Sequence, residues 1–339
     1  MTEAVHSQPL LEVTNLRAYL SSRRGVVKAV DDVSFSLGHG EAMGLVGESG
    51  SGKSIMSRAI MGLLPRRGDR SGSVRFKGQE LIGLPRKAMS GIWGPQISMV
   101  FQDPSRSLNP VVTVERQLTE GMRKHLGLGR SEARARAVRL LREVGISDPE
   151  RRLRAYPHEM SGGMCQRVMI AVALACEPEL LIADEPTTAL DVTVQRQILD
   201  LLRRVQRDRA MSMILISHNL PLVAGRTDRI AVMYAGRLAE TGSTRQVFET
   251  PRHRYTQALL AATPTIAHER HSLFPLIPGS LPSPFDPPPG CRFAARCTHA
   301  SAGCHELGPG MLQIADGRHV ACANPVAAPA TAKDDHDGR

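Results

Sequence analysis

Aromatic side chains make up only 4% of this 339-residue chain, with a single tryptophan. Surfaces that stack on nucleic-acid bases interleave aromatics with basic residues. No such platform stands out here, although the net charge is +10. The charge is nearly all arginine, 37 of the 43 basic residues, scattered rather than striped. No nucleic-acid partner is expected, and a basic chain of this kind suits an anionic membrane surface better. Long apolar runs are missing as well. The longest clear one, Val168 to Cys176, has nine residues between Arg167 and Glu177, against the roughly 18 that span a bilayer. The first residues hold no basic stretch followed by an apolar core, so no secretory signal is expected and the chain reads as cytosolic. No internal repeat is visible. The length allows one large domain plus an appendage.

Residues 47–54 read Gly-Glu-Ser-Gly-Ser-Gly-Lys-Ser, a complete phosphate-binding loop of the form G-x-x-x-x-G-K-[ST]. Ala42 to Val46 upstream has strand character, and Ile55 to Leu64 downstream reads as a helix that stops before Pro65. Gly47, Glu48, Ser49, Gly50, Ser51 and Gly52 would turn their backbone N–H groups around phosphate oxygens, helped by the helix N-terminus. Lys53 would reach the β- and γ-phosphates, and Ser54 would ligate Mg²⁺. ATP with Mg²⁺ is the expected ligand pair.

Leu180 to Asp184 is a continuous apolar run ending in Asp184 and Glu185, the pattern of a parallel strand buried on both faces. Asp184 would hold the magnesium shell, and Glu185 would polarise water against the γ-phosphate. Between the two motifs, Ser161, Gly162 and Gly163 open an apolar helix and form a second anion site. One phosphate chain does not need two such sites, so two subunits placed head to tail would share them.

With these motifs in order, the sequence resembles the ATP-binding subunits of ABC transporters. The resemblance implies an α/β fold: a P-loop NTPase core with antiparallel and helical subdomains. It assigns Gln102 to the loop that senses Mg²⁺ and contacts the membrane subunit. Ala189-Leu190-Asp191 becomes a segment crossing the dimer interface, with Asp191 near nucleotide, and His218 the switch histidine on the γ-phosphate. Tyr19 is a candidate for stacking on adenine, since the family places an aromatic near this point, or it packs on the sheet as an ordinary strand residue. Leu20 is its neighbour.

The resemblance reaches a subfamily. Pro251-Arg252-His253-Arg254-Tyr255-Thr256, Ile277-Pro278-Gly279, Pro289-Gly290-Cys291-Arg292-Phe293, Arg296-Cys297 and His319-Val320-Ala321-Cys322 look like the C-terminal extension of oligopeptide/dipeptide importer ATPases. The nucleotide domain is expected over 9–262, with a helical subdomain at about 103–165. The extension is expected over 263–323 and a disordered tail over 324–339. Seven prolines in 275–289 make that stretch an extended connector. By spacing alone, Cys291, Cys297, Cys304 and Cys322 could hold an iron–sulfur cluster, zinc or nothing, since C-x₂-C knuckles are absent. The subfamily resemblance implies a [4Fe–4S] cluster. Departures include Cys165, where arginine is usual in the signature; it leaves the geometry of that helix open.

The resemblance implies a peripheral ATPase on the cytoplasmic face of the inner membrane. It would work with two transmembrane permease subunits, a second ATP-binding subunit and an extracytoplasmic substrate-binding protein. The rival is a soluble ABC-type ATPase acting on nucleic acid or ribosomes, but such chains carry a long coiled-coil insertion or two nucleotide domains, and neither is present. A module that binds ATP without turnover conflicts with the intact Glu185 and His218.

Overall fold

The structure, a computed structural model, describes residues 8–103, 107–187, 190–263, 276–306 and 310–327. Pro104 in the glutamine loop, Ala189 in the interface segment, 264–275 at the start of the extension and 328–339 of the tail lie outside the described residues. The strands are β1 (Leu11–Ser22), β2 (Gly25–Leu37), β3 (Ala42–Val46), β4 (Gly68–Phe76), β5 (Gln79–Glu80), β6 (Ile97–Val100), β7 (Leu180–Asp184), β8 (Ser212–Ser217), β9 (Arg229–Tyr234), β10 (Arg237–Ser243), β11 (Leu312–Ala315) and β12 (Arg318–Val320). They form two sheets. One is antiparallel, ordered β2-β1-β4-β5, and the other runs β11-β12-β10-β9-β3-β8-β7-β6.

In the larger sheet β9, β3, β8, β7 and β6 are parallel, while β10, β12 and β11 are antiparallel. The apolar run of β7 fits its place between β8 and β6, covered on both faces. Leu181 and Ala183 face one core, Leu180 and Ile182 the other, and all four are fully buried. The first core includes the buried faces of helices Val114–His125, Arg130–Glu143 and Gly162–Leu174. The second lies between this sheet, the antiparallel sheet and helix Lys53–Met61, whose Met56 and Ile60 are buried there. Phosphate loop and Asp-Glu pair therefore end strands of the parallel sheet at the same edge, with β8 between them.

The helix after the phosphate loop is shorter than the sequence suggests, ending at Met61 rather than Leu64. Gly62, at φ 68°, takes the left-handed conformation. Its N–H donates to Ala59 O at 3.2 Å, and Leu63 N–H donates to Arg58 O at 2.8 Å. That pair of bonds closes a helix before any proline is needed.

The extension is not a free-standing appendage. Its hairpin β11–β12 pairs with β10 and lengthens the core sheet. Arg318 on β12 is paired at 2.8 Å with Glu240, which is wholly buried on β10 and also accepts the backbone N–H groups of Arg252 and His253. Removing one partner of a buried pair of this kind typically costs about 3–5 kcal/mol. Phe293 belongs to the main core, with Ile277, Leu281, Cys291 and Cys297 packed against it.

Candidate active site

The phosphate loop leaves β3 through Gly47, at φ 151°, and enters its helix through Gly52, at φ 106°. A Cβ on Gly47 would stand 2.1 Å from Met233 O, and one on Gly52 would stand 2.2 Å from Ala29 O. Backbone on both sides leaves no room to yield, so only glycine fits. Lys53 is nearly buried and folds back on the loop. Its Nζ donates to Gly47 O at 2.8 Å and Glu48 O at 2.9 Å. Burial pulls its pKa down, opposed by the charges of Glu185, Asp184 and Glu48.

Ser54 Oγ donates to Asp184 Oδ1 at 2.8 Å. Asp184 is 1% exposed, and burial raises its pKa against the Ser54 bond. A buried carboxylate facing a hydroxyl is what a small hard cation prefers as ligands. Ser54 and Asp184, with Gln102 beside them, fit Mg²⁺.

Three further expected residues converge on one carboxylate oxygen. Glu185 Oε2 accepts from Gln102 Nε2 at 3.1 Å and lies 3.3 Å from His218 Nδ1. Glu185 has φ 45°, a left-handed conformation rare outside glycine, and its N–H donates to Ile216 O at 3.1 Å. A conformation of this kind persists where the surrounding structure holds it, here the parallel strand beside it.

A cleft of about 350 Å³ joins these groups. Ser49, Gly50, Gly52, Lys53, Ser54, Gln102 and Glu185 form its polar lining, and Leu20, Val27, Ala29 and Pro284, with Ile55 next to Ser54, its apolar lining. Gly47 and Ser51 stand behind it, with Lys53 Nζ on the Gly47 carbonyl and 3.4 Å from Ser51 Oγ.

Other expected residues lie elsewhere. Ser161 and Gly162 are exposed, and Gly163 is half-buried. Ser161 Oγ caps its own helix by accepting from Met164 N–H at 3.4 Å. Asp191 likewise caps helix Val192–Asp208, accepting from Val194 N–H at 3.0 Å. Tyr19 does not line the cleft: its hydroxyl donates to Asp31 Oδ1 at 2.7 Å, on the opposite face of the strand from Leu20. Cys165 donates its thiol to Pro157 O at 3.3 Å, which ties the start of the signature helix to the preceding turn despite the unusual residue.

Glu48 does not turn its side chain into the cleft. Its carboxylate pairs with Arg296 of the extension at 3.0 and 3.1 Å, and its N–H donates to Tyr255 Oη at 2.9 Å. Tyr234, Tyr255 and Phe293 pack together behind the loop, with ring centroids 4.5 to 5.3 Å apart. Sequence reasoning misses this backing. Its only trace is the presence of Tyr255, Phe293 and Arg296 inside the extension motifs, which say nothing about where those side chains point.

The expected iron–sulfur site is not assembled. Burial, then the neighbouring Cys304, Cys322 and Cys297, push the Cys291 thiol up, and burial does the same to Cys297. The four cysteines share one small region, with Cys304, Cys322 and Cys297 all close enough to act on Cys291. Among the described residues no group of three or more His, Cys, Asp or Glu is arranged to hold a metal ion.

A parallel sheet carrying a phosphate loop, an Asp-Glu strand end, and a glutamine and a histidine on the same glutamate defines an ATPase of the ATP-binding-cassette class. Comparison with known proteins narrows this. The ABC transporter family profile matches residues 30–188, and that of the oligopeptide/dipeptide transporter C-terminal region matches 239–304. A Brucella melitensis protein named for peptide import and ATP binding is 51% identical over 323 residues, 95% of this chain and 97% of that one. The dipeptide transport ATP-binding protein DppD of Escherichia coli K12 is 47% identical over 318 residues, 94% of this chain and 97% of that one. Among solved structures, the dimeric cassette MJ0796 in a post-hydrolysis state bound to ADP and Pi superposes with a TM-score of 0.62. It is 25% identical and covers 69% of this chain and 99% of its own. The chain belongs to the ATP-binding subunits of the oligopeptide/dipeptide importer family.

Proposed function

We propose that this chain hydrolyses ATP to drive a peptide-class importer, working as one half of a head-to-tail ATPase pair beneath two permease subunits. The observation that carries the reading is the meeting of Gln102, Glu185 and His218 at one carboxylate oxygen, beside Lys53 and the Ser54–Asp184 pair. Lys53 and the loop N–H groups hold the β- and γ-phosphates. Magnesium, bound by Ser54, Asp184 and Gln102, would supply charge neutralisation on the phosphate oxygens. Glu185 takes a proton from water as the water oxygen forms its bond to the γ-phosphorus, and the β–γ bridging oxygen leaves with ADP. His218 holds Glu185 and the γ-phosphate in register.

The head-to-tail pairing is supported by Ser161 and Gly162, which are exposed and absent from the lining of the chain's own cleft. In this reading they and Asp191 serve the nucleotide of the partner subunit. No helix among the described residues is long and apolar enough to cross a membrane; in this reading the permease and the extracytoplasmic binding protein are separate chains. The peptide class rests on the relatives named for peptide and dipeptide transport. A [4Fe–4S] cluster on Cys291, Cys297, Cys304 and Cys322 has support only from the motif resemblance and the proximity of the thiols. No part of the ATPase reading depends on it.

The test is reconstitution in vesicles with a permease pair and a peptide-binding protein of the same importer family. Peptide-stimulated phosphate release with uptake of that peptide is expected. Phosphate release that ignores peptide and moves none would overturn the importer reading.

A further inference from the structure

We propose that the proline-rich connector of the C-terminal extension is part of the nucleotide site, with Pro284 extending, beyond the edge of β2, the apolar wall of Leu20 and Val27 that receives the nucleobase. The proposal rests on the ATP-binding reading above and names what that site uses to hold the base.

The cleft is chemically divided, with its loop amides, lysine and carboxylate at one end and Leu20, Val27, Ala29 and Pro284 at the other. Once the triphosphate lies along the loop, the nucleoside must lie at the apolar end. Leu20 and Val27 are directly opposed across the β1–β2 ladder. Their side chains therefore form one apolar plate, and Ala29, two residues beyond Val27, extends the same face. Tyr19 cannot join it, because its ring is on the other face and its hydroxyl is bonded to Asp31, which also takes Arg237 at 2.9 Å and Arg292.

Pro284 enters from about 250 residues away in sequence, yet its position is fixed at both ends of the strap. Its carbonyl accepts the Lys28 N–H at 2.9 Å, filling a donor on the outer edge of β2. A proline can accept there although it cannot donate. At the other end Arg296 donates to the Pro278 carbonyl at 2.7 Å and the Ile277 carbonyl at 3.2 Å, while holding Glu48 of the phosphate loop. Between them Leu281 lies beside the loop, 3.5 Å from where a Cβ on Gly50 would stand. Pro284 is exposed on a wall otherwise lined by half-buried apolar residues, so a planar purine laid on that wall would cover Pro284 together with Leu20, Val27 and Ala29.

Binding of ATP and of inorganic tripolyphosphate to the intact chain separates base from phosphate recognition. Pro284→Gly keeps the carbonyl that pairs with Lys28 and removes the ring. It is expected to weaken ATP about fivefold, the effect of uncovering some 40 Å² of apolar surface, and to leave tripolyphosphate within about twofold. Pro284→Glu places a charge on the wall and is expected to weaken ATP further, again with tripolyphosphate spared. Equal weakening of both ligands, or of neither, would make Pro284 a structural strap only and overturn the proposal. Selective loss of ATP in Tyr19→Leu but not in Pro284→Gly would move base recognition to the other face of β1 and overturn it equally. Wild-type protein that binds neither ligand would refute the nucleotide reading itself.

Discussion

The two ends of the nucleotide cleft are built in opposite ways. The phosphate end comes mostly from one stretch of eight residues, 47–54, completed by the end of the nearby β7. The base end comes from one hairpin and one remote segment: Leu20 on β1, Val27 and Ala29 on β2, and Pro284 in the extension. Phosphate recognition needs backbone N–H groups in a fixed local curve, which a short glycine pattern can encode. A wall for a flat apolar base needs only surface of the right kind at the right distance, and any segment can bring it. Chemistry that depends on backbone geometry is therefore written locally, and chemistry that depends on apolar area is assembled by packing.

The sharpest way to test the polar half is Glu185→Gln, which keeps the shape and removes the base. A general base is typically worth about 10²–10⁴ in rate. Steady-state phosphate release should fall by that factor while ATP binding persists. Turnover above about a tenth of the normal rate would remove Glu185 from its role.

A second contrast separates what a subunit does for its own nucleotide from what it does for its partner's. Lys53→Ala deletes a buried cation hydrogen-bonded to the loop. It should weaken ATP binding to the isolated subunit by about 10- to 100-fold, the usual worth of a charged hydrogen bond. Ser161→Ala should leave that affinity unchanged and impair ATP-driven dimerisation, read by light scattering. Equal loss of monomer affinity in both would break the head-to-tail assignment.

The smallest effect concerns how the extension stays docked behind the loop. His253 is buried, and desolvation lowers its pKa from 6.5 to about 4. Its Nδ1 accepts the Tyr255 N–H at 3.0 Å, which requires that nitrogen to be unprotonated. The unfolded chain thus binds a proton more readily than the folded one between those values. The contribution of neutral His253 is complete above about pH 6.5 and is lost progressively as pH falls toward 4, by roughly 1 kcal/mol at pH 5.5. Thermal unfolding followed from pH 7.5 to 5 should show this slope in the wild type and a shallower one in His253→Gln. Parallel slopes would take His253 out of the docking.

Much of this molecule is legible in its sequence. The continuous apolar run of Leu180 to Ala183 announces a strand buried on both faces, and β7 is fully buried between β8 and β6. Between β9 and β10, Ala235 and Gly236 have positive φ, 44° and 88°, as a tight hairpin turn requires. Ser54, Asp184, Gln102, Glu185 and His218 all follow from motifs, and they meet. The departures share one cause. Tyr19 attracts attention for its ring, but a one-residue step along a strand reverses the face, and the pattern of β1 does not say which face meets the cleft. Glu48 lies within the loop that holds phosphate, but its carboxylate is taken by Arg296, 248 residues further on.

By itself the sequence determined the chemistry: the glycines and lysine of the loop, the acidic strand end, the capped signature helix and the importer-type extension. Each is a short-range requirement of backbone conformation or of residue type, and such requirements survive without knowledge of the fold. Tertiary structure alone decided that the extension continues the core sheet through β12, that Arg296 and Tyr255 brace the phosphate loop, and that Pro284 joins Leu20 and Val27 in lining the cleft. Those are long-range contacts between segments whose local patterns carry no partner, so only the packing of the finished chain brings them together.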